Sequence, residues 1–158
     1  MDDTFGRARL IADLYNQEGN REFAYDDATG KTVKTGGSIK GNLSIGIGHN
    51  LAAQGLTQDE RDYILNNDIS ETVALLDANI PWWRELDEVR QNVLVNMCFN
   101  MGWGDGKHGL SSFRNTLDAF RRKDFRAAAE GIRNSRAYTQ APRRYVKIAA
   151  MVDTGEYN

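Results

Sequence analysis

The chain is poor in cysteine, proline and histidine: it has 1 Cys, 2 Pro and 2 His in 158 residues. A single cysteine excludes an internal disulfide, and with two separated histidines it leaves too few ligands for a structural zinc site. Cys98 stands in an apolar helical run, so we expect a buried small side chain rather than a reactive thiol. No apolar run approaches the roughly 18 residues that span a bilayer, so we expect no stable membrane insertion. The acidic start of the chain does not resemble a secretory signal.

The composition otherwise suits one folded domain. At 41% hydrophobic residues the chain can bury a core, and it has no low-complexity tract typical of a linker. The net charge of −2 hides an asymmetry, because residues 1–100 carry 9 basic and 16 acidic side chains, and residues 101–158 carry 11 and 6. The basic residues are spread over several helical faces without a nucleic-acid motif, so no nucleic-acid partner is expected.

A first helical pattern over residues 5–17 ends at a carboxylate. Apolar residues recur there at helical spacing, and Gly19 is suited to the C-cap position. Glu18 would then lie at the helix C-terminus, where the backbone carbonyl dipoles disfavour a negative charge. That setting favours the protonated carboxyl that a general acid needs.

Residues 22–48 change from a helical to an alternating pattern. Phe23 and Tyr25 alternate with polar neighbours, and turn residues follow at 27–30 and 35–37. We predict a small antiparallel sheet of about three strands. The glycine-rich run 44–49 closes it.

The rest of the chain has helical periodicity. Thr57 and Glu60 form a capping box, and the apolar stripe that follows predicts a helix of some 30 Å that ends before Pro81. The segment from Val89 to Met101 is apolar on nearly all faces, which indicates a central buried helix. Three shorter helices are predicted after it.

Three carboxylates in the sheet region are candidates for acid–base chemistry. Glycoside hydrolysis uses two carboxyl groups, one to protonate the leaving oxygen and one to activate water or attack the sugar. Glu18 with Asp26 or Asp27 would supply such a pair. Taken alone this pattern is weak, because most acidic pairs in proteins are solvated.

For the other polar residues in this region, we first consider structural roles. His49 is expected to be held by a carboxylate, for which Asp68 on the following helix is a candidate. Arg144 could pair with Glu18, and its alternative is an ordinary surface arginine.

These residues also resemble the signature of a known family. Glu18, eight intervening residues, Asp27, and later Ser44-Ile45-Gly46-Ile47-Gly48-His49 resemble the signature of the phage T4-type lysozymes. Further blocks follow in family order: Leu86-Asp87-x-Val89-Arg90, Asn96-Met97-x-Phe99-x-Met101-Gly102, Phe113-x-Asn115-x-Leu117 and Ser135-Arg136-x-Tyr138-x-Gln140-x-Pro142-x-Arg144.

The resemblance implies a catalytic role for three residues. Glu18 would be the general acid, Asp27 would place and activate the attacking water, and the Ser44 hydroxyl would help hold that water. Substrate contacts would come from Phe99, Asn100, Thr116 and Gly131. The pairs His49 with Asp68 and Arg144 with Glu18 would be structural supports.

The resemblance also implies a fold: one α+β, lysozyme-like domain over residues 1–158. A sheet-bearing lobe would span 16–57, a linking helix would span 58–80, and 1–15 with 82–158 would form the helical lobe.

The implied activity is hydrolysis of peptidoglycan between N-acetylmuramic acid and N-acetylglucosamine, by a monomer without metal or organic cofactor. A lytic transglycosylase that uses the same glutamate and a catalytically inactive wall-binding module are the alternatives. The enzyme would reach the wall from the host cytoplasm through a partner pore, or as part of a virion.

Two departures from the family pattern stand out. Sixteen residues separate Asp27 from Ser44, more than the family spacing, so a longer hairpin is expected beside the cleft. Serine also replaces the family's threonine at position 44, which keeps the hydroxyl but loses the methyl group that restricts the rotamer.

Overall fold

A computed structural model describes residues 6–157 and shows an α+β chain, as the sequence predicted. The elements are, in order, α1 (Arg7–Glu18), β1 (Arg21–Asp26), β2 (Lys31–Thr32), β3 (Leu43–Gly46), β4 (His49–Asn50), α2 (Leu51–Gln54), α3 (Gln58–Asn79), α4 (Glu88–Met101), α5 (Arg114–Arg121), α6 (Phe125–Arg133), α7 (Arg136–Gln140) and α8 (Pro142–Thr154). Short 3₁₀ turns occupy Pro81–Glu85 and Leu110–Ser112.

The described chain divides into two compact units, with the boundary between Arg61 and Asp62. We call residues 6–61 the sheet unit and residues 62–157 the helical unit. The boundary places α1 in the sheet unit, whereas the sequence-based grouping put residues 1–15 with the helices after 82. Periodicity identifies an apolar helix face but not the unit to which the helix belongs. The lobe boundaries within a single domain stay a prediction.

The sheet has the strand order β2-β1-β3-β4 and is antiparallel throughout. Tyr25 pairs with Ser44 across β1 and β3, and Ser44 pairs with Asn50 across β3 and β4. The sequence predicted β1 and the region of β3. It predicted about three strands and did not separate β4, because a strand of two residues leaves no alternation to detect.

The capping box at the start of α3 is confirmed. Glu60 Oε2 accepts hydrogen bonds from the backbone N–H and the hydroxyl of Thr57, at 2.7 Å and 2.8 Å. The apolar stripe of α3 is buried only toward its end, since Leu76 is buried whereas Leu65 and Ile69 are 46% and 38% exposed. The helix ends at Asn79, just before Pro81, as expected.

The hydrophobic core lies in the helical unit. α4 crosses it, with Asp87 as its N-cap, and the helices after it complete the core. Its most deeply buried side chains are Leu76, Val93, Leu94, Met97, Cys98, Leu110, Phe120, Ile132, Tyr145 and Val152. No helix within residues 6–157 is long and apolar enough to cross a membrane.

Candidate functional site

Glu18 is the last residue of α1, and Gly19 at φ 72° is the C-cap. Its side chain is exposed and lies against the turn that joins β3 to β4. A Cβ atom on Gly48 would stand 3.3 Å from Glu18 Oε2. Gly48 also has φ 71°, a backbone conformation that favours glycine. This turn therefore brings the backbone close to the carboxyl group without a side chain between them.

Asp27 extends the ladder between β1 and β3 by one step. Its N–H donates to Asn42 O at 3.0 Å. Asn42 in turn donates to both carboxylate oxygens, from its backbone N to Oδ1 at 2.7 Å and from Nδ2 to Oδ2 at 2.9 Å. The backbone hydrogen bond from Asn42, followed by the side-chain one, lowers the pKa of Asp27 below its ordinary value. Asp27 is thus an exposed carboxylate that is ionised at neutral pH.

Asp26, the neighbouring carboxylate, is 3% exposed and fully engaged. Its oxygens accept from Lys40 N at 3.0 Å, Gly41 N at 2.9 Å, Ala28 N at 3.1 Å and Thr29 Oγ1 at 3.0 Å. The hydrogen bond from the Lys40 backbone is the largest of the effects that lower its pKa. Asp26 therefore has a structural role, and Asp27 is the carboxylate of this pair that can reach a ligand.

Ser44 lies in the middle of the sheet and is 3% exposed. Its register partners are Tyr25 on one side and Asn50 on the other. Because side chains alternate along a strand, Ser44 and Asp27 project to the same face of the sheet. No hydrogen-bond partner from residues 6–157 engages the Ser44 hydroxyl, so it can bind a water molecule.

The predicted structural supports are in elements of both units. His49 Nε2 is 2.6 Å from Gly55 O, which leaves Nδ1 for a second partner. Asp68 is an exposed residue of α3, and Arg144 is an exposed residue of α8. The pairs His49 with Asp68 and Arg144 with Glu18 stay predictions.

Phe99 is 41% exposed on α4 and lines a cavity of about 270 Å³ in the helical unit. The other lining residues are Leu65, Ile69, Asn92, Val95, Asn96 and Arg144. Two predicted site residues, Phe99 and Arg144, thus share one concave surface.

The other three predicted substrate contacts line a larger cavity of about 930 Å³ in the same unit. These are Asn100, Thr116 and Gly131. Asn100 Oδ1 accepts from the buried Tyr145 hydroxyl at 3.0 Å, so its amide N–H groups remain for a ligand. Thr116 is buried, and a Cβ at residue 131 would collide with its Oγ1. Glycine at 131 is what makes room for the threonine hydroxyl.

The larger cavity also has basic lining residues that the sequence did not predict as substrate contacts. His108, Arg114 and Arg136 contribute to its wall, and no carboxylate does so among the described lining residues. Within residues 6–157 no group of three or more His, Cys, Asp or Glu side chains is arranged to hold a metal ion.

The chain is similar in sequence to curated proteins named as probable lysozymes. No family model matches the chain. A curated protein of Dictyostelium discoideum, "Probable T4-type lysozyme 2", is 26% identical over 161 residues, which cover 83% of this chain and 91% of that protein. "Probable T4-type lysozyme 1" of the same organism is 24% identical over 106 residues, or 65% of this chain and 60% of that protein. The chain is similar to these two T4-type lysozymes.

The similarity to these two proteins supports the resemblance found in the sequence motifs, and the α+β elements are consistent with a lysozyme-like fold. The chain spans about 60% of the length of "Probable T4-type lysozyme 1".

The sequence did not point to Asn42 as a member of the site. It stands between Asp27 and Ser44, in a segment to which the sequence analysis assigned no site residue. The sequence has no signal for this role, because the close approach of the adjacent Gly41 to Asp27 Oδ1 is visible only in the structure.

Proposed function

We propose that this T4-type lysozyme homologue is a muramidase that hydrolyses the β-1,4 bond between N-acetylmuramic acid and N-acetylglucosamine in peptidoglycan. The observation that carries the proposal is the contrast between two exposed carboxyl groups of the sheet unit. Glu18 stands at a helix C-terminus, whereas Asp27 is held ionised by Asn42. Two carboxyl groups in different environments are what acid- and base-assisted glycoside hydrolysis requires.

Each group has a defined part in the proposed reaction. Glu18 donates its proton to the glycosidic oxygen, which leaves as the hydroxyl of the released sugar. Asp27 accepts a proton from the water that attacks the anomeric carbon, and the Ser44 hydroxyl helps to hold that water. The net change is the addition of one water molecule across the bond. The proposed substrate contacts are Phe99, Asn100, Thr116 and Gly131.

The test is a Glu18→Gln variant assayed on purified peptidoglycan. The amide cannot donate a proton as the acid does, so we expect release of reducing sugar to fall by about 10²–10⁴-fold, the usual contribution of general acid–base catalysis. Glu22→Gln is the matched control, because Glu22 is an exposed glutamate of β1 in the same unit. Full activity of the Glu18 variant would refute the assignment.

Mass spectrometry of the released muropeptides separates hydrolysis from the alternatives. Hydrolysis gives reducing ends. Anhydro-muramic ends would show that the muramic 6-hydroxyl attacks instead of water, as in a lytic transglycosylase. Co-sedimentation with peptidoglycan without release of fragments would identify a wall-binding module.

The proposal extends to partner and delivery. The partner is the glycan strand of peptidoglycan, bound by a monomer without a metal or an organic cofactor. The enzyme reaches the wall from the host cytoplasm through a partner pore or as part of a virion. Light scattering during chromatography checks the monomer, with a mass of 17.8 kDa expected.

A further inference from the structure

The segment of residues 27–42, which we call the ribbon, returns to the sheet directly on the candidate base. Asn42 meets both oxygens of the Asp27 carboxylate, and its carbonyl accepts from the Asp27 N–H. A carboxylate that is held at both oxygens cannot rotate about its Cβ–Cγ bond without losing a charge-assisted hydrogen bond. Asn42 therefore fixes the direction in which Asp27 points.

The approach of the ribbon to Asp27 leaves no space for a side chain at Gly41. A Cβ on Gly41 would collide with Asp27 Oδ1, and it would stand 2.7 Å from Ala28 Cβ and 2.8 Å from Ala28 N. Because two of these contacts are with backbone or Cβ atoms, they cannot be relieved by moving a flexible side-chain end. The ribbon thus passes Asp27 at a distance that only glycine permits.

Asp26 accepts hydrogen bonds from both ends of the ribbon. Its carboxylate accepts from Ala28 and Thr29 where the ribbon leaves β1, and from Lys40 and Gly41 where the ribbon returns. The buried position of Asp26 shields these hydrogen bonds from water. Asp26 therefore determines where the backbone just before Asn42 lies.

We propose that Asn42 is a positioning residue for the candidate base Asp27, and that Asp26 anchors the ribbon that presents Asn42. This inference rests on the proposed function, since a base must exist to be positioned. The ribbon is then part of the catalytic apparatus and not merely an extension of the sheet.

The two hydrogen bonds from Asn42, which we call the clamp, leave Asp27 able to accept a proton from water. Each carboxylate oxygen can accept two hydrogen bonds, and Asn42 takes one on each. The remaining lone pairs point in directions set by Asn42, so a water bound there is held in one orientation. Effective catalysis depends on such fixed geometry, and a displacement of 1 Å can cost about 100-fold in rate.

The first experiment compares Asn42→Ala with Asn79→Ala. Asn79 donates from the same amide nitrogen, at 2.8 Å to Leu75 O, within its own helix. For Asn42→Ala we expect kcat to fall about ten-fold or more with KM changed by less than about two-fold. Asn79→Ala should leave both unchanged.

The second measurement follows the protonation of Asp27 directly. Asn42 lowers the pKa of Asp27, while the neighbouring charge of Asp26 raises it. Asn42→Ala keeps the backbone N–H, which has the largest effect on the Asp27 pKa, and removes the side-chain amide, which has the second largest. The Asp27 pKa should therefore rise by the part that the side chain contributes, and carbon-detected NMR can follow this without substrate. The acidic limb of the pH–activity profile should move to higher pH by the same amount.

A third variant tests the anchor. Asp26→Asn replaces one acceptor oxygen by an amide donor, so part of the backbone of the ribbon loses its partner. We expect faster hydrogen exchange at the Lys40 and Gly41 amides, and a fall in kcat in the same direction as for Asn42→Ala.

The outcomes separate this inference from the proposed function. If wild type is active, Glu18→Gln is inactive, and Asn42→Ala has unchanged kcat and Asp27 pKa, then the positioning role is wrong and the muramidase assignment stands. If wild type releases no fragments from peptidoglycan, the proposed function is wrong and the catalytic role of Asn42 falls with it. If kcat of Asn42→Ala fell without any change in the Asp27 pKa, the loss of the clamp would not be the cause of the fall, and the positioning role would be wrong.

Discussion

At the scale of single residues, a few small groups decide the geometry of the candidate site. Gly48 permits the backbone to approach Glu18, and Gly41 permits the ribbon to approach Asp27. In both places the backbone can lie close to the carboxylate only because the glycine has no side chain. Glycine at such a close approach cannot be replaced by alanine without moving the neighbouring atoms.

Gly48→Ala tests the approach to Glu18. Alanine at φ 71° would cost about 1–2 kcal/mol in backbone strain, and its Cβ would press on Glu18 Oε2. Gly46→Ala is the matched control, because Gly46 has φ 63° and a Cβ there would meet nothing within 4 Å. We expect similar losses in the free energy of unfolding for both variants, but a clear loss of lytic activity only for Gly48→Ala. Equal activity in the two variants would contradict the contact.

The pH dependence of stability should report on Asp26. Its pKa is lower in the folded chain than its ordinary value, chiefly because of the hydrogen bond from Lys40 N. Its contribution is therefore present above the ordinary aspartate pKa and is lost as the pH falls through the folded-state pKa. Urea unfolding of wild type between neutral pH and pH values below the ordinary aspartate pKa should show this loss, and Asp26→Asn should show a smaller one. An identical pH dependence in both would be inconsistent with the anchor role.

Residue types with a local signature could be predicted from the sequence. The position of Glu18 at the end of α1 follows from the periodicity and Gly19, and the bonds between Thr57 and Glu60 follow from their spacing. Asn42 could not be predicted, because its partner is 15 residues away. The pairing depends on the path of the ribbon, which has no periodic pattern.

At the scale of elements, the tip of the ribbon and its returning part have different structural roles. Its tip is a turn in which Gly37 N donates to Lys34 O at 2.8 Å. Its return carries Lys40 and Gly41, whose backbone N–H groups bind Asp26. The sequence pattern does not distinguish the tip from the returning part, since both are polar and contain glycine.

Two deletions of equal size distinguish these parts. Removal of Thr35 and Gly36 shortens the tip, so folding and activity should largely survive. Removal of Lys40 and Gly41 takes away two donors to Asp26 and moves Asn42, so activity should be lost and the melting temperature should fall. Thermal unfolding and lysis assays measure both effects. Loss of the fold on shortening the tip would show that the ribbon is needed throughout.

At the scale of the whole molecule, the two units differ in how they are stabilised. Within residues 6–61 only Tyr25, Asp26 and Ser44 are buried, and two of these are polar. The helical unit contains a contiguous apolar core. Apolar burial is the main favourable term in folding, so the sheet unit depends more on hydrogen bonds such as those of Asp26.

Native-state hydrogen exchange should show this difference. Amides of α4, α6 and α8 surround the apolar core and should exchange only through large openings. Amides of β1 to β4 should exchange through smaller local openings, with lower free energies. Protection of the strands equal to that of α4 would mean that the sheet unit opens only together with the core.

The order and type of most elements were predictable because periodicity is a local property. The helix α1 follows from its periodicity, although its apolar residues are not buried in the structure: Leu10, Ile11, Leu14 and Tyr15 are 37–48% exposed. The short helix α7 was missed, since five residues are too few to show a period of 3.6.

The bonds of Asp26 have a consequence for how this chain can diverge. Three of its four donors are backbone N–H groups, which every residue except proline supplies. Mutations between Lys31 and Ile39 should then accumulate with little selection against them, while positions 26, 41 and 42 tolerate few replacements. A library of random single substitutions, selected for lysis, would show a long permissive stretch bounded by these intolerant positions. Homologues could therefore differ widely in the length and sequence of the ribbon and still keep the same carboxylate in place.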